Sequence, residues 1–366
     1  MIKKLSLLLI FGGRSGEHAV SLMSARSVIN AIDPEKYEVH QIGINYDGQW
    51  LTGADVLGRF EKENEDYLSP ATLLNESGRV YLYSRKGMKL VKEAPIDVVF
   101  PVLHGSFGED GTIQGLFAIQ DLAFVGGGVL ASAACMDKAF TKTMASAAGL
   151  PVLPFQVFER VDLLNNINAV VDTCEKIANY PLFVKPANLG SSVGITKVHD
   201  RKELKPALLK AAKYDRRILV ERGVDAREIE ISVLGNENAQ VSVPGEIIPD
   251  DEFYSYTDKY YHGEPEACIP APLSEEDTQR VKQYAITAYK ALDCAGMARI
   301  DFFVDKVDGQ LYFNEINTIP GFTKISMYPK LWQASGLPYP ELIDRLVALA
   351  LERKQENDKT VRKFED

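Results

Sequence analysis

Leu5 to Phe11 is a run of seven residues, apolar but for Ser6, that ends on Gly12-Gly13. A run this short cannot cross a bilayer, and apolar side chains pointing both ways require cover on both faces. It reads as a buried parallel strand feeding a glycine turn. The preceding Lys3-Lys4 gives it a superficial likeness to a secretion leader, but it stops at Gly12-Gly13-Arg14 without a small-x-small cleavage pattern. Glu17 to Ile32 follows with helical periodicity, Tyr37 to Ile44 reads as a second strand and Val98 to Leu103 as a third. Residues up to about 134 therefore read as a doubly wound α/β domain.

The 366 residues are too many for one small module and, at about 150 residues per domain, suggest two or three. Asp137 to Ala148 reads as a helix stopped by Gly149 and Pro151. Beyond it the pattern turns to hairpins. Phe183 to Pro186, Gly194 to Val198 and Ile218 to Glu221 read as strands, with a helix over Lys202 to Tyr214, giving a small α+β unit. A third portion has paired strands at Glu228 to Leu234 and Gln240 to Glu246, then a polar, aromatic loop from Asp250 to Ala267. A helix over Ser274 to Leu292 precedes two strands, Ala298 to Val304 and Leu311 to Ile316, joined through Asp308-Gly309, a strong hairpin signal. The expected units are 1–135, 136–222 and 223–366, and the charged tail after Leu351 reads as a fraying helix end.

With 51 acidic against 41 basic side chains the chain carries a net charge of −10, which disfavours nucleic acid as a main partner. No stretch of 18 uncharged apolar residues suggests a membrane span. Cys135, Cys174, Cys268 and Cys294 are scattered without a CxxC pair, so neither a zinc ribbon nor a disulfide framework is signalled, and a reducing cytoplasm is the expected compartment.

Four stretches hold chemistry, each with a bland alternative. Gly12-Gly13-Arg14-Ser15-Gly16-Glu17 is either a tight turn or a place where backbone N–H groups and the Glu17 carboxylate meet a ligand; the spacing is not GxGxxG, which disfavours a nicotinamide dehydrogenase. Val184-Lys185-Pro186 followed by the glycine- and serine-rich Ala187 to Gly194 is either a flexible surface loop or a cover for phosphates with lysine as charge partner; it is not a Walker loop. Arg299 and Asp301 share one strand face by alternation, as do Glu315 and Asn317 on the next strand. Two carboxylates and an amide are hard ligands suited to Mg²⁺, the alternative being a solvated polar hairpin. Phe302, Phe303, Tyr312 and Phe313 interleave these positions, which favours the first reading. Phe253 to Gly263 reads as a closing lid or as an exposed loop.

Taken in order, the stretches GGRSGEHAVS (12–21), HGSFGEDGTIQG (104–115), MDK (136–138), VKPANLGSSVGITKV (184–198), FYSYTDKY (253–260), ARIDFF (298–303) and NEINTIPGFTKISM (314–327) resemble the ATP-grasp superfamily and, within it, the D-alanine–D-alanine ligase family. The likeness runs from Leu7 to about Leu346. It implies a three-domain ATP-grasp architecture, with an amino-terminal doubly wound α/β domain, and ATP-dependent joining of two D-alanines for peptidoglycan precursors. Lys138 and Lys185 would contact ATP phosphates, Glu221 with Arg222-Gly223-Val224 the adenine, and Glu228 the ribose. Asp301, Glu315 and Asn317 would bind two Mg²⁺ ions, with Mn²⁺ as a substitute. Glu17 would grip the first ammonium and join Ser191 and Tyr260 in a network over the site. His104 would lie near the first substrate, Arg299 and the Gly321 amide would form an oxyanion hole, Ser326 and Met327 would receive the second carboxylate, and Lys259 would meet the transferred phosphate. A homodimer through the amino-terminal domains is implied as well. Ala19 departs from an acidic residue common in relatives, and Tyr260 favours an amine over a hydroxyl acceptor. The rivals are another ATP-grasp ligase and a non-catalytic nucleotide-binding module.

Overall fold

The computed structural model describes residues 3–190, 193–248 and 266–363. Strand β1 (Leu5–Gly12) lies inside a sheet whose parallel part is completed by β2 (Tyr37–Ile44), β7 (Val98–Val102) and β8 (Ala123–Phe124). Its two faces feed separate cores. Leu7, Leu9 and Phe11 pack on one side and Leu8 and Ile10 on the other, all fully buried, which is the double cover that the run demands. Helix α1 (His18–Ala31) follows the glycine turn as expected.

The same sheet continues where the sequence reading saw only strand–helix alternation. Past β3 (Trp50–Thr52) and the short α2 (Val56–Glu61), strands β4 (Ser69–Glu76), β5 (Arg79–Lys86) and β6 (Lys89–Ile96) form an antiparallel meander, so the sheet has 8 strands in the order β6-β5-β4-β3-β2-β1-β7-β8. Ser77-Gly78 and Gly87, all with positive φ, make its two hairpin turns.

After α3 (Thr112–Ile119) and α4 (Val129–Met136), helix α5 (Lys138–Ala147) starts at Asp137, whose side chain accepts from the Phe140 N–H at 2.9 Å. The second sheet is antiparallel, in the order β11-β10-β12-β9, from β9 (Phe155–Glu159), β10 (Leu182–Pro186), β11 (Thr196–Val198) and β12 (Arg217–Arg222). Helices α6 (Arg160–Cys174) and α7 (Arg201–Tyr214) cover one face, packing Leu204, Leu208 and Val171 on Leu182, Val184, Ile218 and Val220. Alternation sends Phe183, Lys185 and Glu221 to the other face.

The third sheet has β13 (Ala226–Gly235) at its centre, flanked by β17 (Gly296–Asp305) with β18 (Leu311–Asn317) on one side and β15 (Gly245–Ile248) with β16 (Glu266–Cys268) on the other. The strand expected over Gln240 to Glu246 is two, β14 (Gln240–Val241) and β15, separated by a gap that contains Pro244, which has no N–H to offer a ladder. Helix α8 (Glu275–Ala291) buries the back of the sheet through Val281, Ala285 and Ala288 against Ile229, Ile231 and Ile300. Beyond α9 (Met327–Ala334), helix α10 (Tyr339–Asp358) runs past the expected fray point at Leu351 and packs Leu342, Ile343, Leu346 and Val347 into the core that holds Leu7 and Phe11. The chain's end thus closes the first sheet, and the Tyr37 hydroxyl donates to Asp344 at 2.8 Å.

Candidate active site

The polar faces of the second and third sheets and the edge of the first bound two cavities. The smaller, 540 Å³, is lined by Glu17, His104, Arg299, Gly321, Ser326 and Met327 among others; the larger, 710 Å³, by Lys185, Glu221, Val224, Glu228 and Asp301. Lys138, Glu230, Ile247 and Glu315 line both, so the cavities meet along the side chains of α5, β13, β15 and β18. Every described residue expected at the small substrates falls in the first cavity. Those expected at the nucleotide fall in the second or, for Lys138, at the junction, apart from Gly223, which lines neither.

In the larger cavity Glu221 and Lys185 come from adjacent strands, and the Lys185 Nζ contacts Glu221 Oε1. On the far side Lys142 Nζ lies 3.0 Å from Glu221 Oε2. Both Lys142 and Glu221 have side chains only 1% exposed. Burial pushes the Glu221 carboxyl up, but the two ammonium groups outweigh it and hold the pKa at about 2. Burial lowers the pKa of Lys142; it works the same way on Lys185, but there the Glu221, Glu315 and Glu228 carboxylates together outweigh it and raise the pKa. The sequence reading gave Lys142 no role; its signal is the four-residue spacing from Lys138 on α5.

At the junction Lys138 Nζ donates to the Leu189 carbonyl at 2.6 Å and lies 3.8 Å from Glu315. Asp301 and Glu315 are direct cross-strand partners, and Arg299 stands opposite Asn317. Arg299 forks onto Asp301 with bonds of 2.8 and 2.7 Å and its Nε lies 3.0 Å from Glu230, while Asn317 donates to Asp301 at 3.2 Å. Burial works against the guanidinium charge, and the Asp301 and Glu230 carboxylates overcome that and raise its pKa. Glu230 was missed as well, although it alternates with Glu228 on β13 and pairs with Asp301 in the β17 register.

A register shift between Asp301 and Phe302 corrects the expected interleaving. Strict alternation would put Phe313 on the same face as Glu315 and Asn317. The bulge leaves Asn314 as the extra residue, so Phe313 pairs with Phe302 in the core while Glu315 and Asn317 face the cavities. Asn314 itself lines the larger cavity.

In the smaller cavity, Glu17 sits under two loops that leave space only for glycine. A Cβ on Gly105 would lie 2.5 Å from Glu17 Oε2, at φ +74°, and one on Gly190 3.0 Å from it. His104 is buried and bridges the first and third units: its Nδ1 is 3.1 Å from the Ile319 carbonyl and its Nε2 2.9 Å from Ser24 Oγ. A carbonyl only accepts, so Nδ1 carries the proton and Nε2 accepts from Ser24, whose oxygen in turn accepts from the Phe322 N–H at 3.3 Å. Burial lowers the His104 pKa and keeps the ring neutral. The Ile319 N–H donates to Glu109 Oε1 at 3.2 Å and the Gly105 N–H to Oε2 at 2.8 Å. His104 and Glu109 therefore hold both ends of residue 319, two positions before Gly321. Burial, reinforced by Glu17, raises the Glu109 pKa to about 8. Ser326 caps the segment before α9, its Oγ accepting from the Thr323 N–H at 3.1 Å. The loop expected over Asp250 to Ala267 is shorter at its far end, where Glu266 and Ala267 pair with β15 as part of β16; the rest of it, up to residue 265, with Lys259 and Tyr260, and Ser191 lie outside the described residues.

A doubly wound domain followed by two antiparallel sheets, with Lys185 on one and the Asp301 and Glu315 carboxylates on the other facing a shared cleft, defines an ATP-grasp architecture. The family models described as "D-ala D-ala ligase N-terminus" and "D-ala D-ala ligase C-terminus" match residues 6–127 and 144–348. The chain belongs to the D-alanine–D-alanine ligase family. It is 52% identical over 361 residues to the D-alanine–D-alanine ligase of Thermoanaerobacter sp. (97% of this chain, 99% of that one), and 46% identical to that of Acetivibrio thermocellus (97% and 98%). Among solved structures, the D-alanine-D-alanine ligase of Coxiella burnetii superposes with TM-score 0.82 at 37% identity (97% and 96% covered). The VanG D-Ala:D-Ser ligase of Enterococcus faecalis gives 0.83 at 35% (95% and 100%). Among the described residues no helix is long and apolar enough to cross a membrane.

Proposed function

We propose that the protein is an ATP-dependent ligase that joins two D-alanines into D-alanyl-D-alanine, releasing ADP and phosphate, for the cytoplasmic stage of peptidoglycan precursor synthesis. The observation that carries this reading is the meeting of the two cavities at Lys138, Glu230 and Glu315, with Arg299 beside them. In this reading the nucleotide fills the larger cavity, with adenine toward Glu221 and Val224, ribose toward Glu228 and phosphates toward Lys185 and Lys138. The amino acids occupy the smaller one, the first with its ammonium at Glu17 near His104 and the second with its carboxylate at Ser326 and Met327.

Asp301, Glu315 and Asn317 fit Mg²⁺: they are hard oxygen donors at one place on the hairpin, and among the described residues no group of three or more His, Cys, Asp or Glu makes a closed all-protein cage. That is the donor set expected where nucleotide phosphates and water complete the shell, with two ions proposed and Mn²⁺ as a substitute. Bound there, the metal would offset the charge of the phosphates.

The chemistry follows from the poor electrophilicity of a carboxylate. The first D-alanine attacks the γ-phosphate and becomes an acyl phosphate, with Lys138, Lys185 and, outside the described residues, Lys259 offsetting the charge. The amine of the second then attacks the acyl carbon, the oxyanion is met by Arg299 and the Gly321 N–H, and phosphate leaves. His104 and Glu109 hold Ile319 and so position the Gly321 segment before the oxyanion forms. A network of Glu17, Ser191 and Tyr260 and a lid over residues 250–265 would exclude water. The units proposed are 1–135, 136–222 and 223–366. A homodimer is supported by Leu116 and Ile119 on α3 and Val129 and Leu130 on α4, all exposed on the amino-terminal unit.

The test is phosphate release from ATP with Mg²⁺ and D-alanine, L-alanine, or D-alanine with D-serine or D-lactate, with products identified by mass. A D-alanyl-D-alanine mass that requires the D-isomer is expected. A mixed product in preference to it reassigns the acceptor, and no D-alanine dependence refutes the reading.

A further inference from the structure

Lys142 lines neither cavity, yet its buried ammonium is spent on Glu221, a carboxylate that does line the nucleotide cavity and already has Lys185 on its other oxygen. One carboxylate between two ammonium groups, all three side chains at most 9% exposed, leaves a positive charge over. Removing charged groups from water is costly unless they are paired, so a second lysine here needs a reason beyond packing. The reason lies in what Lys185 must do. It stands at the cavity wall with its Nζ on Glu221 Oε1, and a polyphosphate bound in that cavity would draw the ammonium away. Without a second counter-ion Glu221 would then be a buried carboxylate with no cation, and such a group takes up a proton.

Protonation changes what Glu221 recognises. A carboxylate only accepts hydrogen bonds and so selects a ligand edge that donates, such as the exocyclic amine of a 6-aminopurine. A carboxylic acid also donates and tolerates a 6-oxopurine. We propose that Lys142 is a positioning residue for nucleotide choice: by pairing Glu221 Oε2 from behind, it keeps Glu221 an acceptor while Lys185 serves the phosphates. This rests on the larger cavity being the nucleotide site.

The charged groups around Glu221 are consistent with this division. From α5 comes Lys142 and from β10 Lys185; Glu315 on β18 acts on both lysines, and Glu228 on β13 acts on Lys185. Glu228 thus pulls on Lys185 alone and Glu315 on both lysines, and Lys142, which lines neither cavity, is the cation that meets Glu221 Oε2.

The test is equilibrium binding of ATP and of inosine triphosphate, each with Mg²⁺ and without D-alanine, to the full chain and to Lys142→Met, with folding checked by circular dichroism. The unaltered protein is expected to prefer ATP. In Lys142→Met the ratio of ATP to inosine triphosphate affinity falls about tenfold, as for loss of one hydrogen bond to a charged acceptor, and falls further as the pH is lowered because Glu221 then protonates more readily. A merely structural role would weaken both nucleotides alike, so an unchanged ratio in a folded variant overturns the proposal. Failure of the unaltered protein to bind ATP at all would instead refute the nucleotide assignment. Lys142→Gln, which keeps a donor toward Oε2, gives the same measurement if the methionine variant does not fold. Independently of any substitution at Lys142, the Glu221 carboxyl carbon in the intact protein, assigned through Glu221→Gln, is expected to show the ionised chemical shift at about pH 3, where an ordinary glutamate is largely protonated; a protonated shift there also overturns it.

Discussion

Glu221 and Glu109 are the same residue type at the walls of the two cavities, and their surroundings drive them to opposite charge states. Glu221 sits between Lys142 and Lys185 with a pKa held at about 2; Glu109 has backbone N–H partners from Gly105 and Ile319, Glu17 as a charged neighbour, and a pKa raised to about 8. Glu221 is buried and Glu109 half-buried, and each is hydrogen-bonded or paired. What differs is the cations: two meet Glu221, whereas Arg299, whose charge acts on Glu109, forks onto Asp301. The larger cavity is thus built around a fixed negative charge flanked by positive ones, whereas the smaller keeps beside Glu17 a carboxyl that holds its proton to about pH 8. A site that must take a polyphosphate needs mobile cations at its wall. A site that must take an ammonium and a carboxylate together needs fewer fixed charges and firmer geometry.

The largest expected effect breaks the first half of that contrast. Glu221→Ala leaves two buried ammonium groups without their carboxylate and should cost about 3–5 kcal/mol of stability, read from denaturant unfolding. Because the Glu221 pKa lies below that of an unfolded glutamate, its contribution is present above about pH 4.3 and is lost as the pH falls toward about 2; acid unfolding of the alanine variant should lack this component. Next, Arg299→Met removes the cation between Asp301 and Glu230 and a proposed oxyanion donor, and kcat should drop by about 10²–10³ with ATP affinity changed far less. An equal loss in both would move Arg299 to the nucleotide side of the comparison.

Gly105→Ala places a methyl 2.5 Å from Glu17 Oε2 at a backbone φ of +74°. It should cost about 1–2 kcal/mol and raise the KM for D-alanine while leaving that for ATP unchanged. Glu109→Gln is the smallest change and sharpens the second half of the contrast. The folded Glu109 binds its proton more tightly than the unfolded one, so stability is lost as the pH rises from about 4.3 to about 8. The glutamine variant should lack this loss and gain melting temperature on the wild type at pH 8 relative to pH 5. A carboxylate that is ionised at neutral pH would show no such crossover.

Much of the fold was legible because it rests on local patterns. The apolar run at Leu5, the N-cap at Asp137 and the Asp308-Gly309 turn each act within a few residues, and the strands and helices they announce are present. The meander over β4 to β6 was missed although Ser77-Gly78 and Gly87 announce its turns, because its strands expose one face and lack the continuous apolar run that marks β1. The candidate residues for each subsite were legible as motifs. Lys142, Glu230 and Glu109 were not assigned roles, since each acts through a partner distant in sequence: Glu221, Arg299 and Ile319.

By itself the sequence determined many of the elements, though not the β4 to β6 meander, together with the alternation that puts Arg299 with Asp301 and Glu315 with Asn317 and the spacing that identifies the family. Hydrophobic period and turn chemistry are properties of neighbours along the chain, so they can be read without coordinates. Only the tertiary structure decided that a bulge at Asn314 turns Phe313 into the core, that Lys142 meets Glu221 from behind, and that the carboxyl-terminal helix closes the amino-terminal sheet. Charge state followed the same division, because a pKa depends on which groups surround a carboxyl in space, and for Glu221 and Glu109 those groups come from other strands and helices.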